Sequence, residues 1–243
     1  MTVLAVDVGN SRIKWGFHQE GEWISMGALP RADSSRLASV WADNPAPHRV
    51  VGCNVAGEDA GREIDRSVEV RGCRMEWVVS QERQCGVINR YDEASQLGAD
   101  RWVALIAARK RVPGGCIVLS AGTAVTIDAM TSRGEFVGGV IMPNPSIMAE
   151  SLERHTAALK RQPGKFHMLP TNTADAIATG AYLAVGGALN RIEHALRALG
   201  EPSCEVFMTG GGAADLQPTL ERTVKLIPNL VLEGLVVVAS QRD

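Results

Sequence analysis

The stretch VLAVDVGNSRIKWGF, residues 3–17, opens with buried-type residues, stops to place Asp7, Gly9, Asn10 and Ser11, and then resumes an apolar run. Residues 3–6 read as a strand buried on both faces, and the Asp-x-Gly-Asn that follows reads as a turn. A carboxylate at such a turn calls for a reason.

The same pattern occurs twice. Residues 3–30 match residues 116–143 at a constant offset of 113 without a gap, so that Gly9, Gly21, Glu22 and Pro30 fall on Gly122, Gly134, Glu135 and Pro143. Apolar positions match as well: Leu4, Val6, Trp23 and Ile24 meet Ile117, Leu119, Phe136 and Val137. Each copy reads as strand, small-residue turn, strand, Gly-containing hairpin and third strand. Helical patterns follow, at residues 100–112 and 174–199. Strands followed by helices in both halves predict an α/β architecture of two duplicated domains, residues 1–114 and 115–243, with a cleft between them and a junction at Pro113-Gly114-Gly115.

Composition narrows the partners. With 25 basic against 27 acidic residues the net charge is -2, which predicts no nucleic-acid footprint and no polybasic membrane patch. No apolar run has the length of a membrane span and no signal-peptide pattern opens the chain, so the expected location is cytoplasmic. The five cysteines, Cys53, Cys73, Cys85, Cys116 and Cys204, form no C-x-x-C pair, and the five histidines form no i, i+4 pair. Reduced thiols and no zinc site are expected.

Three stretches carry chemistry. The turns at residues 7–11 and 120–124 each place a Gly where backbone approaches a ligand, followed by an amide or hydroxyl side chain, as an oxyanion cradle requires. Asp7 can hold a hydrated Mg²⁺ bridging to phosphate, with Lys14 in reach of the same anion. The alternative is that both are plain hairpin turns. A third turn, Met208-Thr209-Gly210-Gly211-Gly212-Ala213, joins an apolar strand to a helix-like segment. It can seat a nucleotide against bare backbone or serve as a flexible connection. Finally, Asp100 and Arg101 open a helix just after Gly98: Asp100 reads either as its N-cap or as a base taking a proton from a substrate hydroxyl, with Arg101 holding an anionic group.

Together these stretches resemble one family, the type III pantothenate kinases of the acetate kinase, sugar kinase, Hsp70 and actin superfamily. The resemblance rests on Asp-x-Gly-Asn-Ser at residues 7–11, Tyr91 with Leu-Gly-Ala-Asp-Arg at 97–101, and Gly-Thr-Ala-x-Thr-x-Asp at 122–128. It continues with Gly-Gly-x-Ile-x-Pro at 138–143, Asn-Thr-x-x-Ala-Ile-x-x-Gly at 172–180, Thr-Gly-Gly at 209–211 and Leu-Val-Leu-Glu-Gly-Leu at 230–235.

It implies an actin-like fold of two ribonuclease H-like domains and ATP-dependent phosphorylation of pantothenate, the first step towards coenzyme A. By position, Asp7, Gly9, Asn10, Ser11 and Lys14 would meet the ATP phosphates, with Asp7 on Mg²⁺, and Gly122, Thr123, Gly210 and Gly211 would contact ATP. Asp100 would be the general base, while Tyr91, Gly98, Ala99, Asp100, Arg101 and Thr173 would line the pantothenate pocket. The resemblance also implies a homodimer.

The chain departs from the family pattern at Ser120, where many members carry an Asp resembling a ligand for K⁺ or NH₄⁺. The neutral hydroxyl predicts weak or absent dependence on a monovalent cation. Asn144 stands where Gly commonly follows Pro143, and Ala94 where Pro is usual. Rival readings are a sugar or short-carboxylate kinase of the same superfamily, a non-catalytic or regulatory nucleotide-binding relative, and an actin-like polymer. Tyr91 with residues 98–101 opposes the first, and retention of both Asp7 and Asp100 opposes the second.

Overall fold

The computed structural model describes residues 1–156 and 162–241. In chain order the first half runs β1 (Thr2–Val8), β2 (Arg12–Gln19), β3 (Glu22–Pro30), α1 (Leu37–Val40), β4 (Arg49–Asn54), α2 (Glu58–Glu69), β5 (Met75–Trp77), β6 (Arg83–Gln84), β7 (Val87–Asn89) and α3 (Ala99–Arg111). The second runs β8 (Cys116–Ala121), β9 (Ala124–Met130), β10 (Glu135–Pro143), α4 (Pro145–His155), α5 (Thr173–Ala198), β11 (Glu205–Thr209), α6 (Ala213–Leu216), β12 (Lys225–Leu226) and α7 (Leu230–Ser240).

These elements form two compact units, one of Met1–Pro113 with Gly134–Phe136 and the chain from Asn229 onwards, the other of Gly114–Arg133 with Val137–Pro228. A linear division after residue 114 would place both returning segments in the second half. Hydrogen bonding and packing recruit them instead: Glu135 and Phe136 pair in parallel with Ile88 and Asn89 of β7, and α7 packs on α3, β1 and β4.

The first unit has strand order β3-β2-β1-β4-β5, with β1 antiparallel to β2 and parallel to β4. The second unit repeats it as β10-β9-β8-β11-β12, with β8 antiparallel to β9 and parallel to β11. In β1 every residue from Thr2 to Val8 is buried except Asp7, as expected for a central strand flanked by pairs on both edges. Leu4, Val6 and Val8 join Ile13, Phe17, Trp41 and Ile64 in one core. Ile117 and Leu119 of β8 pack with Val185 and Leu189 of α5 in the other.

The repeat is not gapless at its first turn. Val8 pairs with Ile13, but Ala121 pairs with Val125, so the second turn is one residue shorter and β9 slips by one against the sequence match. The connections into β3 and β10 restore the offset, two residues (Glu20, Gly21) in one copy and four, residues 131–134, in the other. Gly21 and Gly134 sit at φ 94° and 80°, a left-handed conformation that explains why Gly recurs there.

α3 is buried from Arg101 to Ala108. Its closeness to α7 depends on Gly234: a Cβ there would meet the backbone of Val103, and the ion pair Arg111–Glu233 (2.6 Å) closes the other end. Gly234→Ala is therefore expected to lower stability by about 1–3 kcal/mol through overpacking, read from the denaturant midpoint. An unchanged midpoint would show that α7 shifts freely.

Candidate active site

Strand register assembles the first part of the site. Asp7 lies within β1, one residue before its end, and the turn proper is Gly9, Asn10 and Ser11. Asp7 stands opposite Lys14 on β2 and opposite Cys53 on β4, so the three side chains share one face of the sheet. The Cys53 thiol donates to Asp7 Oδ1 at 3.6 Å. The Asp7 carboxyl is pushed up to about 6, first by burial and then by the nearby Asp100 carboxylate, with Lys14 and the thiol opposing. Burial, then Asp7 and Asp100, push the Cys53 thiol well up, so it stays protonated and able to donate.

The second part comes from the start of α3. The N-cap of this helix is Gly98, with no side-chain cap, and Asp100 stands in the first turn, where its Oδ1 accepts from the Arg101 N–H at 2.8 Å. The N-cap role for Asp100 is thus corrected: it satisfies one helix-end amide from inside the helix. Gly98 also leaves room for the Asp100 carboxyl, since a Cβ on it would lie 2.8 Å from Asp100 Oδ1 and push that side chain aside. Burial raises the Asp100 carboxyl, opposed by the Arg101 amide and charge.

Arg101 is only 6% exposed. Its guanidinium lies 5.9 Å from the centroids of both Tyr91 and Phe136, and Nη2 donates to Tyr91 Oη at 3.3 Å. The two rings, 5.1 Å apart, form an aromatic floor under a buried cation. Asn89 holds the Tyr91 loop by accepting from Tyr91 N (3.1 Å) and donating to Ala94 O (3.1 Å), and Ser80 donates to Leu97 O at 2.6 Å. Sequence motifs do not reveal Phe136, Asn89 and Cys53 as site residues, because the pairing of β7 with β10 and of β1 with β4 brings them here, nor Ser80, which reaches the loop through Leu97 O.

In the second unit the same register places Ser120 opposite Thr126 on β9 and Thr209 on β11. The carboxylate, lysine and thiol of the first unit thus correspond to three hydroxyls, and Thr126 donates to the buried Asp128 at 3.3 Å. Gly122 N–H bonds to Ala124 O, as Gly9 N–H does to Arg12 O, both at 3.0 Å. Gly210, at φ 98°, lies against the Ala121 backbone so closely that a Cβ would overlap it, and Gly212 N–H donates to Ala121 O at 2.9 Å. The turns carrying Gly122, Thr123, Gly210 and Gly211 therefore lie together, with Gly211 facing open space. The helix after that turn is short, Ala213–Leu216 and then a 3-10 turn. Thr173 is elsewhere in this unit. It begins α5 behind the cap residue Asn172 and lines an apolar groove of about 550 Å³ with Met148, Leu152 and Ile177.

Asp7 and Asp100 are both raised chiefly by burial, and the Asp100 carboxylate adds to the rise at Asp7. Among the described residues no group of three or more His, Cys, Asp and Glu forms an all-protein metal cage. The donor set fits Mg²⁺, which keeps waters and takes one or two carboxylates beside substrate phosphates.

The strand order, repeated in both units, is that of an actin-like ATPase fold. Solved structures with this fold include a protein described as a Baf family transcriptional activator from Campylobacter jejuni, with TM-score 0.60, 18% identity and 97% and 96% of the two chains covered. Another is described as a 2-dehydro-3-deoxygalactonokinase from Sinorhizobium meliloti, with TM-score 0.58, 17% identity and 98% of each chain covered. The model of the type III pantothenate kinase family matches residues 3–195, and the chain belongs to that family. Relatives named type III pantothenate kinase include those of Aromatoleum aromaticum, 41% identical over 98% of both chains, and Paracidovorax citrulli, 39% identical over 100% of this chain and 99% of the other.

The raised Asp7 carboxyl has a consequence for stability in the absence of divalent metal. Because its folded value of about 6 exceeds the ordinary 3.8, folding takes up a proton in between, and stability is lost as pH rises from about 4 through 6. The melting temperature of the native chain, relative to Asp7→Asn, should therefore fall between about pH 4 and 7 in EDTA. A parallel pH course for the two proteins would refute the assignment.

Proposed function

We propose that this chain phosphorylates the primary hydroxyl of pantothenate with ATP, opening coenzyme A biosynthesis in the cytoplasm. The observation that carries the reading is the pair Asp7 and Asp100: two acids raised by burial, one beside Lys14, the other beside an arginine on an aromatic floor. Family membership supports the substrate and donor.

In this reading Gly9, Asn10, Ser11 and Lys14 engage the ATP phosphates, and Gly122, Thr123, Gly210 and Gly211 contact the nucleotide. Asp7 would hold Mg²⁺, which supplies charge neutralisation at the transferring phosphoryl group. Asp100 accepts the pantothenate hydroxyl proton as the oxygen attacks the γ-phosphorus and ADP leaves. A carboxyl raised towards neutrality suits that work better than one at its ordinary value. Arg101 pairs with the substrate carboxylate, held in place by Tyr91 and Phe136. Ala99 and Gly98 line the approach, and Thr173 contributes to the same substrate. Ser120 brings a neutral hydroxyl where a carboxylate would hold K⁺ or NH₄⁺, which supports weak monovalent-cation dependence.

A homodimer is also part of the reading. Two largely apolar helices come into question for the interface, α3 and α5. α3 spends its apolar surface inside its own unit, whereas α5 leaves Ala176, Gly180, Leu183, Ala184 and Gly187 exposed along one face.

A coupled ADP-release assay with ATP, Mg²⁺ and pantothenate tests the proposal. Pantothenate-dependent turnover is expected, little changed by K⁺ over a tetramethylammonium background, and reduced by roughly a hundred-fold or more in Asp100→Asn. No turnover with ATP still bound would favour a non-catalytic relative, and strong K⁺ activation would overturn the reading of Ser120.

A further inference from the structure

The two glycine turns are held from behind by the same position of the repeat. Arg31 and Asn144 each follow the Pro that ends the third strand of their unit, and they stand 113 residues apart, the offset of the repeat itself. In the first unit the Arg31 N–H donates to Ser11 O at 3.0 Å, inside the turn that carries Gly9 and Asn10. In the second the side chain takes over: Asn144 Nδ2 donates to Gly122 O at 3.1 Å.

Asn144 also has a second engagement. It is the N-cap of α4, its Oδ1 accepting from the Ile147 N–H at 2.9 Å, with Pro145 as the first helical residue. The two partners fix which end of the amide points where. Ile147 N–H needs an acceptor and Gly122 C=O needs a donor, so a flipped amide would lose both bonds.

Fixing the Gly122 carbonyl fixes more than one atom. The peptide joining Gly122 to Thr123 is planar and trans, so with its oxygen drawn towards Asn144 its N–H is directed to the opposite side. Gly122 and Thr123 are exposed, and Gly122 has no side chain to wedge the turn against its surroundings. The Gly122–Ala124 hydrogen bond and the Asn144 amide hold Gly122 itself, while Gly210 and Gly212 hold the turn at Ala121.

We infer that Asn144 is a positioning residue for nucleotide binding: its side chain braces the Gly122–Thr123 turn against the start of α4, the counterpart of the Arg31 main-chain brace on the first turn. The inference rests on the proposed contact of Gly122 and Thr123 with ATP, and deepens it by naming what holds that turn.

Capping and bracing can be separated. Asn144→Ser keeps a neutral cap of similar strength but is too short to hold Gly122, and Asn144→Asp is isosteric and caps well but cannot donate. Both variants should melt close to the parent protein. In the nucleotide-free state, exchange of the Gly122 amide should quicken in both. In turnover, KM for ATP should rise about three- to ten-fold in Asn144→Ser, the loss expected for one hydrogen bond, with KM for pantothenate at saturating ATP unchanged. Amide exchange that stays at the parent rate in both variants overturns the brace. Faster exchange with an unchanged KM for ATP overturns its role in nucleotide binding. Thr123→Val in the otherwise native chain tells the two failures apart: if it too leaves KM for ATP alone, the turn does not serve ATP; if it raises KM, only the role of Asn144 is lost.

Discussion

An acid carried near the end of a strand buried on both sides is the constraint on which the rest of the first unit turns. β1 must be apolar because β2 and β4 flank it and packed side chains cover both its faces. Asp7 interrupts that run where the strand opens out, and its neighbours are dictated by register rather than by sequence proximity. Antiparallel pairing delivers Lys14, and parallel pairing delivers Cys53. Neither fully offsets burial, since the carboxyl remains raised. A charge held in this under-compensated state is well matched to a ligand that brings a cation with it.

Duplication supplied the frame twice, and the two copies have been filled differently. Both units show the same strand order and a glycine turn at the same place. Where the first copy carries a carboxylate, an amine and a thiol, the second carries Ser120, Thr126 and Thr209. Phosphoryl transfer asks for little covalent chemistry and much positioning. The two copies thus offer different chemistry at the same register, a carboxylate beside an amine and a thiol in one and three hydroxyls, with Asp128 behind Thr126, in the other. The shorter second turn, one residue less than its counterpart, is part of the same divergence.

Much of this was legible in the chain. The α/β class, the repeat, the strand before Asp7 and the helices near residues 100–112 and 174–199 follow from apolar periodicity and Gly placement, which report local geometry directly. The site was legible as far as its residues lie in short motifs: Asp7 to Lys14, Gly98 to Arg101, and the Gly122 and Gly210 turns. It was not legible where partners come from distant strands. Phe136 beneath Arg101 depends on β7 pairing with β10, and Cys53 beside Asp7 on β4 joining β1. The N-cap is not settled by sequence, because Gly98 and Asp100 both carry helix-start signals and only backbone angles assign it to Gly98.

Residue order alone specifies two similar α/β halves, a glycine turn after the first strand of each, and an Asp-Arg pair at the opening of a helix. These are statements about local conformational preference and burial, which a chain encodes within a few residues. Tertiary structure decided which charges face one another, how far Asp7 and Asp100 are raised, and that α7 returns from the far end of the chain to pack on α3 and β1. Those outcomes depend on strand order, register and desolvation, quantities set by what surrounds a residue in space and not by what precedes it in the chain.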